Sequence, residues 1–284
     1  MKKYVLYFSL VFITACQKDI SSDPQVAPLP AQTISNVSYG SDAKQKMDIY
    51  LPANRNTDST KLIVLVHGGA WIEGDKGDFD PLVLSFKQLF ADYAIANINY
   101  RLATVAGNHF PAQETDMKAA VDFLVQKSGD YKITQKFVLM GASAGAHMAL
   151  LQAYKNNSPK IKAVVDFFGP VDMPALYSSI TNPTSQFAFQ VLMGGTPTAN
   201  PLLYQQSSPI NFVTAQSPPT LIFHGEADDL VALSQSVQLK TKLQSMGVVN
   251  QLVIYPNQGH DLWPPQIMAD AFAKIEVFIK ANVR

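Results

Sequence analysis

The chain has 284 residues, of which 47% are hydrophobic and 15% charged, a composition that fits one sizeable globular domain and excludes a disordered tail or a fibrous repeat. Lysine and arginine together number 22, aspartate and glutamate also number 22, and the formal net charge is therefore zero. Because the chain lacks the basic excess that marks nucleic-acid binding, we expect no nucleic-acid partner.

Residues 1–15 are predicted to be an export signal. They begin with a methionine and two lysines, continue as an apolar run and end in small residues directly before Cys16. Such a run is too short to span a bilayer and is typical of a secretory signal peptide. Residues 13–16 resemble the lipobox of bacterial lipoproteins, in which the N-terminal cysteine of the mature protein is acylated. An ordinary cleaved signal with an incidental cysteine is the alternative, but Cys16 is the only cysteine in the chain.

Acylation of Cys16 predicts an exported lipoprotein, held at a membrane on its periplasmic or cell-surface side. Several acyl chains on one residue anchor a protein stably, whereas a single chain does not. Residues 16–32 are rich in serine and proline and are then expected to be a flexible tether. The folded domain is expected over residues 33–284, and a chain with one cysteine has no intrachain disulfide.

The folded region opens with a predicted hairpin at the edge of a sheet. Residues 33–39 and 46–51 alternate apolar and polar side chains around a Gly-Ser-Asp turn, which is typical of antiparallel strands. Residues 61–66 form a continuous apolar run, as expected of a strand that is covered on both faces. A helix over 79–93 and a strand over 94–100 then complete a crossover unit.

Strands and helices alternate along the rest of the chain. Further helices are expected over 111–129, 233–246 and 265–281, further strands over 160–168, 219–223 and 251–255, and a strand, turn and helix over 136–150. Residues 169–218 are rich in proline and glycine and are interpreted as a cap-like excursion over the sheet rather than a separate domain. The alternation predicts an α/β fold with a mostly parallel central sheet and helices on both faces.

The stretch 136–150 carries the strongest local motif, because its apolar strand breaks at Gly-Ala-Ser-Ala-Gly and continues as a helix of small residues. A serine on such a turn has a strained backbone that lifts its hydroxyl clear of the sheet. Glycines flank it because a larger side chain would collide with the neighbouring strand and helix. Ser143 is therefore the candidate nucleophile, with a chance occurrence of the motif in a loop as the alternative.

A serine nucleophile needs a base, and the base needs an acid that orients it. Asp228 lies just beyond a predicted strand, and His260 lies in the loop that follows the next strand. The chain order serine, aspartate, histidine is that of the alpha/beta-hydrolase fold. Asp229 stays open as the alternative acid, because the pattern alone does not separate neighbouring carboxylates on one loop. Glu226 is expected to be solvated.

From about residue 46 to residue 279 the sequence resembles alpha/beta-hydrolases of the esterase and lipase type, with a first loop like that of hormone-sensitive lipase. Among these it is most similar to bacterial carbohydrate acetyl and feruloyl esterases. The motifs that carry the resemblance are His67-Gly68-Gly69-Ala70-Trp71, Tyr100-Arg101-Leu102-Ala103, Phe110-Pro111-Ala112-Gln113, Gly141-Ala142-Ser143-Ala144-Gly145, Ser208-Pro209-Ile210, His224-Gly225-Glu226-Ala227-Asp228 and Gly259-His260.

The resemblance implies a role for each matching residue. Ser143 would be the nucleophile, His260 the general base and then the general acid, and Asp228 the acid that orients it. The oxyanion hole would consist of three backbone amides, those of Gly69, Ala70 and Ala144. Ala70 replaces the third glycine of the commoner His-Gly-Gly-Gly loop, but an alanine keeps its amide.

Other side chains near these motifs have two interpretations. Trp71 and Trp263 are tentative substrate-binding residues that would stack on a sugar or an aromatic acyl group, with simple packing as the alternative. His147 lies four residues after Ser143 on the helix and is expected to be a packed core residue. Arg101 and Asp116 are expected to form a structural pair beneath the site.

The sequence therefore predicts a serine hydrolase that cleaves carboxylic esters through an acyl-enzyme and needs no cofactor. It contains no His-Glu-x-x-His motif, no cysteine and histidine cluster and no calcium loop, so no metal site is expected. The expected substrates are short-chain esters or acetyl and feruloyl esters of saccharides, by analogy with the fold and its compartment. The alternatives are an amidase or peptidase of the same fold and a non-catalytic binding protein on a hydrolase scaffold.

Overall fold

A computed structural model describes Met1 and residues 28–156, 161–261 and 263–283. Cys16, the rest of the predicted signal over residues 2–15 and most of the predicted tether lie outside the described residues. Within the described part of the chain, every helix is too short or too polar to cross a bilayer.

Eight strands form a single sheet within the described residues. They are β1 (Gln32–Ser38), β2 (Lys46–Leu51), β3 (Leu62–Val66), β4 (Ala94–Ile98), β5 (Phe137–Ala142), β6 (Ile161–Phe167), β7 (Thr220–Gly225) and β8 (Asn250–Tyr255). Their spatial order is β1-β2-β4-β3-β5-β6-β7-β8. The first strand pairs antiparallel with β2, β2 pairs antiparallel with β4, and all further pairs are parallel. The predicted α/β fold with a mostly parallel sheet is confirmed.

The helices connect these strands and cover both faces of the sheet. They are α1 (Asp80–Leu89), α2 (Ala112–Gln126), α3 (Ser128–Tyr131), α4 (Ala144–Tyr154), α5 (Met173–Ser179), α6 (Pro183–Met193), α7 (Pro201–Gln206), α8 (Ser234–Ser245) and α9 (Pro265–Asn282). Two short 3-10 helices, Lys76–Phe79 and Pro209–Phe212, precede α1 and follow α7. The predicted helix over 79–93 is therefore shorter than expected, because its last turn unwinds after Leu89.

The central strands separate two hydrophobic clusters. In β3, the side chains of Leu62, Val64 and Val66 belong to the cluster that α2, α4 and α8 cover. Ile63 and Leu65 point to the opposite cluster, which α1 and α9 cover. Because both faces are covered, β3 is apolar throughout rather than alternating, as the sequence predicts.

Residues 169–218 pack on the same face as α2 and α4. The three helices α5, α6 and α7 contribute Met173, Leu192 and Tyr204, which are fully buried in that cluster. The amide of Phe110 donates a hydrogen bond of 2.7 Å to the carbonyl of Leu192, which joins this segment to the loop before α2. We call residues 169–218 the cap segment.

The sharp turn between β5 and α4 depends on its two glycines. A Cβ on Gly145 would lie 2.1 Å from the carbonyl oxygen of Val66, and one on Gly141 would lie 2.3 Å from the carbonyl carbon of Gly145. Both distances are far below van der Waals contact, so the helix can begin directly against β3 only without these side chains. This close approach places Ser143 at the carboxyl edge of the sheet, where the loops after the parallel strands meet.

The predicted pair of Arg101 and Asp116 is confirmed as a structural contact. Asp116 is fully buried in α2, and its carboxylate accepts hydrogen bonds from the Arg101 guanidinium, with the shortest at 2.6 Å. The same carboxylate accepts from the backbone amide of Arg101 at 2.8 Å and from the side-chain amide of Gln45 at 2.7 Å. These bonds fix the loop that follows β4, which packs beside the loop that follows β3.

Candidate active site

Three side chains from different loops form a continuous hydrogen-bonded chain at the carboxyl edge of the sheet. The Ser143 hydroxyl lies 2.8 Å from Nε2 of His260, and Nδ1 of His260 lies 2.7 Å from Oδ2 of Asp228. Because a carboxylate only accepts, Nδ1 carries the proton and Nε2 is free to accept from the serine. A base in this tautomer, held by an acid, is the arrangement that activates a serine hydroxyl.

Ser143 is held in a strained backbone conformation, with φ of 53° and ψ of −121°. Its own amide donates 2.9 Å to the carbonyl of Phe167 at the end of the neighbouring strand β6. Positive φ is costly for a residue with a Cβ, and the surrounding contacts must therefore hold it. The result is a hydroxyl that stands above the sheet edge and faces His260.

The structure places Asp228, and not Asp229, against His260. The Asp228 side chain is fully buried, whereas the His260 side chain keeps 10% of its surface exposed. Asp229 and Glu226 are both exposed to solvent. The loop after β7 thus turns only the first of the two neighbouring aspartates inward, a choice that the sequence leaves open.

The Asp228 carboxylate is saturated with hydrogen-bond donors. Its Oδ1 accepts from the amides of Leu230 at 3.0 Å and Val231 at 2.8 Å, while Oδ2 faces two histidines. Burial alone would raise the pKa of Asp228, but the hydrogen bonds from His224 and His260 and the charge of His260 hold it well below its usual range. Asp228 is therefore a carboxylate throughout the neutral range and can stabilise a protonated His260.

His224 is the second histidine against Asp228, and its contact with the acid is a feature that the sequence does not predict. Nε2 of His224 lies 2.8 Å from the carbonyl of Val231 and 3.3 Å from Oδ2 of Asp228. Both are acceptors, so Nε2 carries the proton and Nδ1 accepts from the Ser236 hydroxyl at 2.6 Å. The spacing of four residues between His224 and Asp228 is compatible with a contact between their side chains. A turn between the two residues can also direct these side chains apart, so the spacing alone does not predict the contact.

The loop after β3 packs directly against the serine turn. A Cβ on Gly68 would lie 3.5 Å from Cβ of Ser143, which shows how closely the two backbones approach. Gly69, Ala70 and Trp71 have consecutive positive φ values of 101°, 49° and 63°. The Tyr100 hydroxyl reaches the loop at the carbonyl of Gly68, to which it donates at 2.9 Å.

The amides predicted for an oxyanion hole lie at this junction. Gly69 and Ala70 are part of the loop that touches the serine turn, and Ala144 is the first residue of α4. The first amides of a helix have no partner within the helix, so the Ala144 N–H is free to face a ligand. A Cβ at Gly69 would lie 2.2 Å from the carbonyl of Glu73, so that position needs glycine, whereas Ala70 adopts the left-handed region with its Cβ in place.

Both tryptophans that the sequence suggests for substrate stacking are buried in this structure. Trp71 is 4% exposed and Trp263 is 5% exposed, which leaves neither ring a free face. The Trp263 indole donates 3.0 Å to the carbonyl of Gly259, directly before the catalytic-loop histidine. Both rings act as packing residues, and burial of this kind cannot be read from their positions beside the motifs.

Trp71 instead contacts His147, which is fully buried in α4 as expected for a core residue. The Trp71 indole donates 3.2 Å to Nδ1 of His147, and Nε2 of His147 lies 2.7 Å from the carbonyl of Ser207. Burial lowers the pKa of His147 to about 4. A neutral His147 thus joins the loop after β3, the helix after Ser143 and the end of the cap segment.

The chain is similar to known esterases and to a peptidase. The model of the BD-FAE family matches residues 47–243. The esterase LipC of Mycobacterium tuberculosis is 26% identical over 239 residues, which cover 79% of this chain and 58% of LipC. Dipeptidyl-peptidase 4 of Giardia intestinalis is 25% identical over 235 residues, which cover 76% of this chain and 30% of that protein. The chain therefore spans little more than half of LipC and under a third of the peptidase.

A solved structure extends the comparison to the whole fold. A truncated form of a carbohydrate esterase from gut microbiota superposes with a TM-score of 0.71 at 28% sequence identity. The alignment covers 87% of this chain and 96% of that one. The predicted alpha/beta-hydrolase fold is confirmed by this likeness. Within the described residues, no group of three or more histidine, cysteine, aspartate or glutamate side chains could hold a metal ion.

Replacing the buried Asp228 should lower kcat far more than replacing the neighbouring Asp229. We expect Asp228→Asn to lower kcat by roughly 10⁴-fold, because the amide NH₂ cannot accept from Nδ1 of His260 and the wrong tautomer results. Asp229→Asn has the same chemical change on the same loop and should retain turnover near that of the parent protein. Steady-state kinetics on an activated ester measure both variants, and a crippled Asp229→Asn protein would show that the loop register is wrong.

Acid should weaken the contribution of His147 to stability. Folded His147 stays neutral down to about pH 4, whereas an unfolded histidine takes up a proton near pH 6.5, so lowering the pH through this window favours the unfolded state. The stability advantage of the parent protein over His147→Gln should therefore shrink by about 3 kcal/mol between pH 7 and pH 4.

Chemical denaturation of the two proteins across this pH range measures the difference. His109 is exposed, so His109→Gln is the matched control for the loss of one histidine. A difference for His147→Gln that stays constant with pH would contradict a buried neutral histidine.

Proposed function

The chain belongs to the BD-FAE family and has the alpha/beta-hydrolase fold, and from this premise we propose that it is a serine hydrolase that cleaves carboxylic esters through an acyl-enzyme. One observation carries the proposal: the hydrogen-bonded chain of Ser143, His260 and Asp228, with distances of 2.8 and 2.7 Å. A base within hydrogen-bond reach of a nucleophile, and an acid within reach of the base, meet the geometric requirements for acyl transfer.

In the first half of the reaction, Nε2 of His260 accepts the proton of Ser143 as its oxygen attacks the ester carbonyl. The buried carboxylate of Asp228 stabilises the imidazolium that forms, and the amides of Gly69, Ala70 and Ala144 donate to the developing oxyanion. Removal of one such donor costs about 3–4 kcal/mol in comparable enzymes. His260 then gives its proton to the departing alcohol, and the acyl group stays on Ser143.

In the second half, a water molecule takes the place of the alcohol. His260 accepts a proton from this water, which attacks the acyl-enzyme, and then returns the proton to Ser143. Because each proton that His260 accepts is given back within the same half-reaction, the enzyme ends in its starting state. Each proton transfer in this route is carried out by residues of this chain.

The substrates we propose are short-chain esters or acyl esters of saccharides, of the acetyl or feruloyl kind. The name of the solved carbohydrate esterase supports a saccharide, and the name of LipC supports carboxylic esters in general. Both names indicate an ester bond, and only the name of the carbohydrate esterase indicates the alcohol. The bond type is therefore the firmer part of the proposal.

An amidase or peptidase is the second candidate, because a dipeptidyl-peptidase is among the relatives. The shared part is under a third of that protein, and one fold can carry both chemistries. An amide substrate would need a pocket that holds its amine, and the cap segment is the part of this chain that would form one. A non-catalytic binding protein is the remaining alternative, and a complete triad argues against it.

Substitution of the nucleophile tests the proposal directly. The purified full-length protein should hydrolyse p-nitrophenyl acetate or butyrate, and Ser143→Ala should lower kcat by about 10⁴-fold or more. Ser185 is an exposed serine in α6, so Ser185→Ala is the matched control and should keep the parent activity. The corresponding p-nitroanilides measure amidase activity in the same assay.

Three results would contradict the proposal. Activity that survives in Ser143→Ala would exclude this serine as the nucleophile. Faster turnover of anilides than of esters would favour the amidase, and no turnover of either would favour a binding protein.

We also propose that the protein is exported and anchored to a membrane by acylation of Cys16. The support is the sequence alone: the basic start, the apolar run and the single cysteine at the cleavage point. Residues 16–32 would then form a tether that lets the hydrolase domain reach substrates away from the bilayer. The last residue of the proposed tether, Gln32, is also the first residue of β1.

The anchor is tested by removing the sulfur. Cys16→Ser cannot be acylated, so we expect the protein to move from the membrane fraction to the soluble or unprocessed fraction and to lose the label from radioactive palmitate. Ser21→Ala, five residues further along the proposed tether, serves as the control and should remain in the membrane fraction. A Cys16→Ser protein that is still labelled and still membrane-bound would contradict the anchor.

A further inference from the structure

The loop after β3 holds three consecutive residues in a conformation that side chains disfavour. Gly69, Ala70 and Trp71 all have positive φ, and the two that carry a Cβ keep this conformation only where neighbouring contacts hold it. The same loop carries two of the amides proposed for the oxyanion. Within the described residues, the amides of Gly69 and Ala70 donate to no backbone carbonyl. The contacts that hold this loop therefore decide where two free amides point.

Trp71 is the residue through which this loop reaches into the protein. Its ring is buried, and its backbone carbonyl accepts from the amide of Ala103 at 2.9 Å. The indole N–H donates to Nδ1 of His147 at 3.2 Å, and the ring of Phe189 in the cap segment lies 6.0 Å away between centroids. Because Trp71 directly follows Ala70, a fixed indole also restrains the backbone that carries the Ala70 amide.

His147 is held through both nitrogens of its ring. An indole nitrogen only donates, so Nδ1 of His147 is the acceptor and carries no proton. Nε2 lies 2.7 Å from the carbonyl of Ser207 and therefore carries the proton. The backbone amide of His147 donates to the carbonyl of Ser143 at 3.0 Å, in the first turn after the nucleophile. His147 thus connects the nucleophile's helix to Trp71 on one side and to the cap segment on the other.

Packing alone does not explain a histidine at this place in α4. The side chain is fully buried, and a buried polar ring is costly unless its nitrogens are paired, whereas an apolar side chain could fill such a space without that cost. Both nitrogens of His147 are paired, and one of the two partners belongs to the strained loop. The pairing therefore points to an orienting role.

We propose that His147 is a positioning residue for the oxyanion hole. Through its hydrogen bond to Trp71 it holds the loop after β3 in the conformation that directs the amides of Gly69 and Ala70 at the ester oxygen. The inference rests on the proposed ester hydrolysis and adds to it a residue outside the triad. His147 acts through Trp71, so its loss weakens the stabilisation of the transition state more than the binding of the substrate.

Two amide variants separate the two hydrogen bonds of His147. Nδ1 of histidine is attached to Cγ, as Oδ1 is in asparagine, so His147→Asn keeps an acceptor for the Trp71 indole. Nε2 is one atom further from the backbone, as it is in glutamine, so His147→Gln keeps a donor for Ser207 and loses the acceptor. For p-nitrophenyl acetate we expect kcat to fall about 10-fold or more in His147→Gln and by less than about 3-fold in His147→Asn, with KM nearly unchanged.

The other end of the same hydrogen bond supplies a second variant, which also covers the case in which His147→Gln fails to fold. Trp71→Phe keeps an aromatic ring and removes the N–H, so kcat should fall to a similar extent. Because both changes break one contact, the double variant should lose no more than the larger single loss.

Tyr154→Phe is the matched control for the loss of a buried hydrogen bond in α4. The Tyr154 hydroxyl lies 2.7 Å from Oγ1 of Thr220, at the end of the helix that is far from Ser143. This variant should keep the parent kcat. Chemical denaturation of each variant shows that the proteins compared are folded.

A tetrahedral adduct gives a readout that a merely structural role would not move. Phenylboronic acid accepts an electron pair from the serine oxygen, and the resulting tetrahedral boronate places an oxygen where the oxyanion forms. Its dissociation constant should rise in His147→Gln and Trp71→Phe by about the factor by which kcat falls. In Tyr154→Phe it should remain that of the parent protein.

The outcomes separate this inference from the function on which it rests. Folded His147→Gln and Trp71→Phe proteins that keep the parent kcat, or that change KM alone, would overturn the positioning role and leave the esterase in place. An equal loss of kcat in Tyr154→Phe would also overturn it, because the effect would then follow from general destabilisation. A parent protein without turnover of any ester would overturn both.

Discussion

The close approach of α4 to β3 is the constraint on which the site depends. Gly145 lies so near the carbonyl of Val66 that a single methyl group would fall 2.1 Å from it. This contact allows the helix to start immediately after the strand, and the chain can make that turn only if Ser143 adopts a positive φ. The buried β-sheet and the two hydrophobic clusters supply the free energy that holds the strained turn. The position of the Ser143 hydroxyl is thus a consequence of backbone packing.

The electrostatics of the site follow from burial around Asp228. A carboxylate that is removed from water is costly unless donors surround it, and here two amides and two histidines do so. His224 is buried and contacts Asp228 from the protein interior. His260 contacts Asp228 through Nδ1, and its Nε2 faces Ser143. The acid therefore serves His224 as a structural partner and, in the proposed mechanism, His260 as a counter-ion for the charge that appears during proton transfer.

The sequence was sufficient for the fold and for the chain order of the candidate triad, because both depend on local patterns. Apolar runs predict covered strands, and parallel strands bring their following loops to one edge. It was not sufficient for the choice between Asp228 and Asp229, since the direction of each side chain depends on how the loop closes. The burial of the tryptophans is unpredicted for a related reason: Trp71 and Trp263 lie beside the motifs in sequence, but packing of the loops buries both rings.

Covalent labelling of the serine is the most direct test of the central claim that His260 activates Ser143. The full-length protein is treated with diisopropyl fluorophosphate and analysed by intact mass and peptide mapping, in parallel with His260→Ala. If His260 activates Ser143, the parent protein should gain a single phosphoryl adduct on Ser143, and His260→Ala should gain little or none over the same time. An adduct on a different serine, or labelling of Ser143 at the same rate without His260, would contradict it.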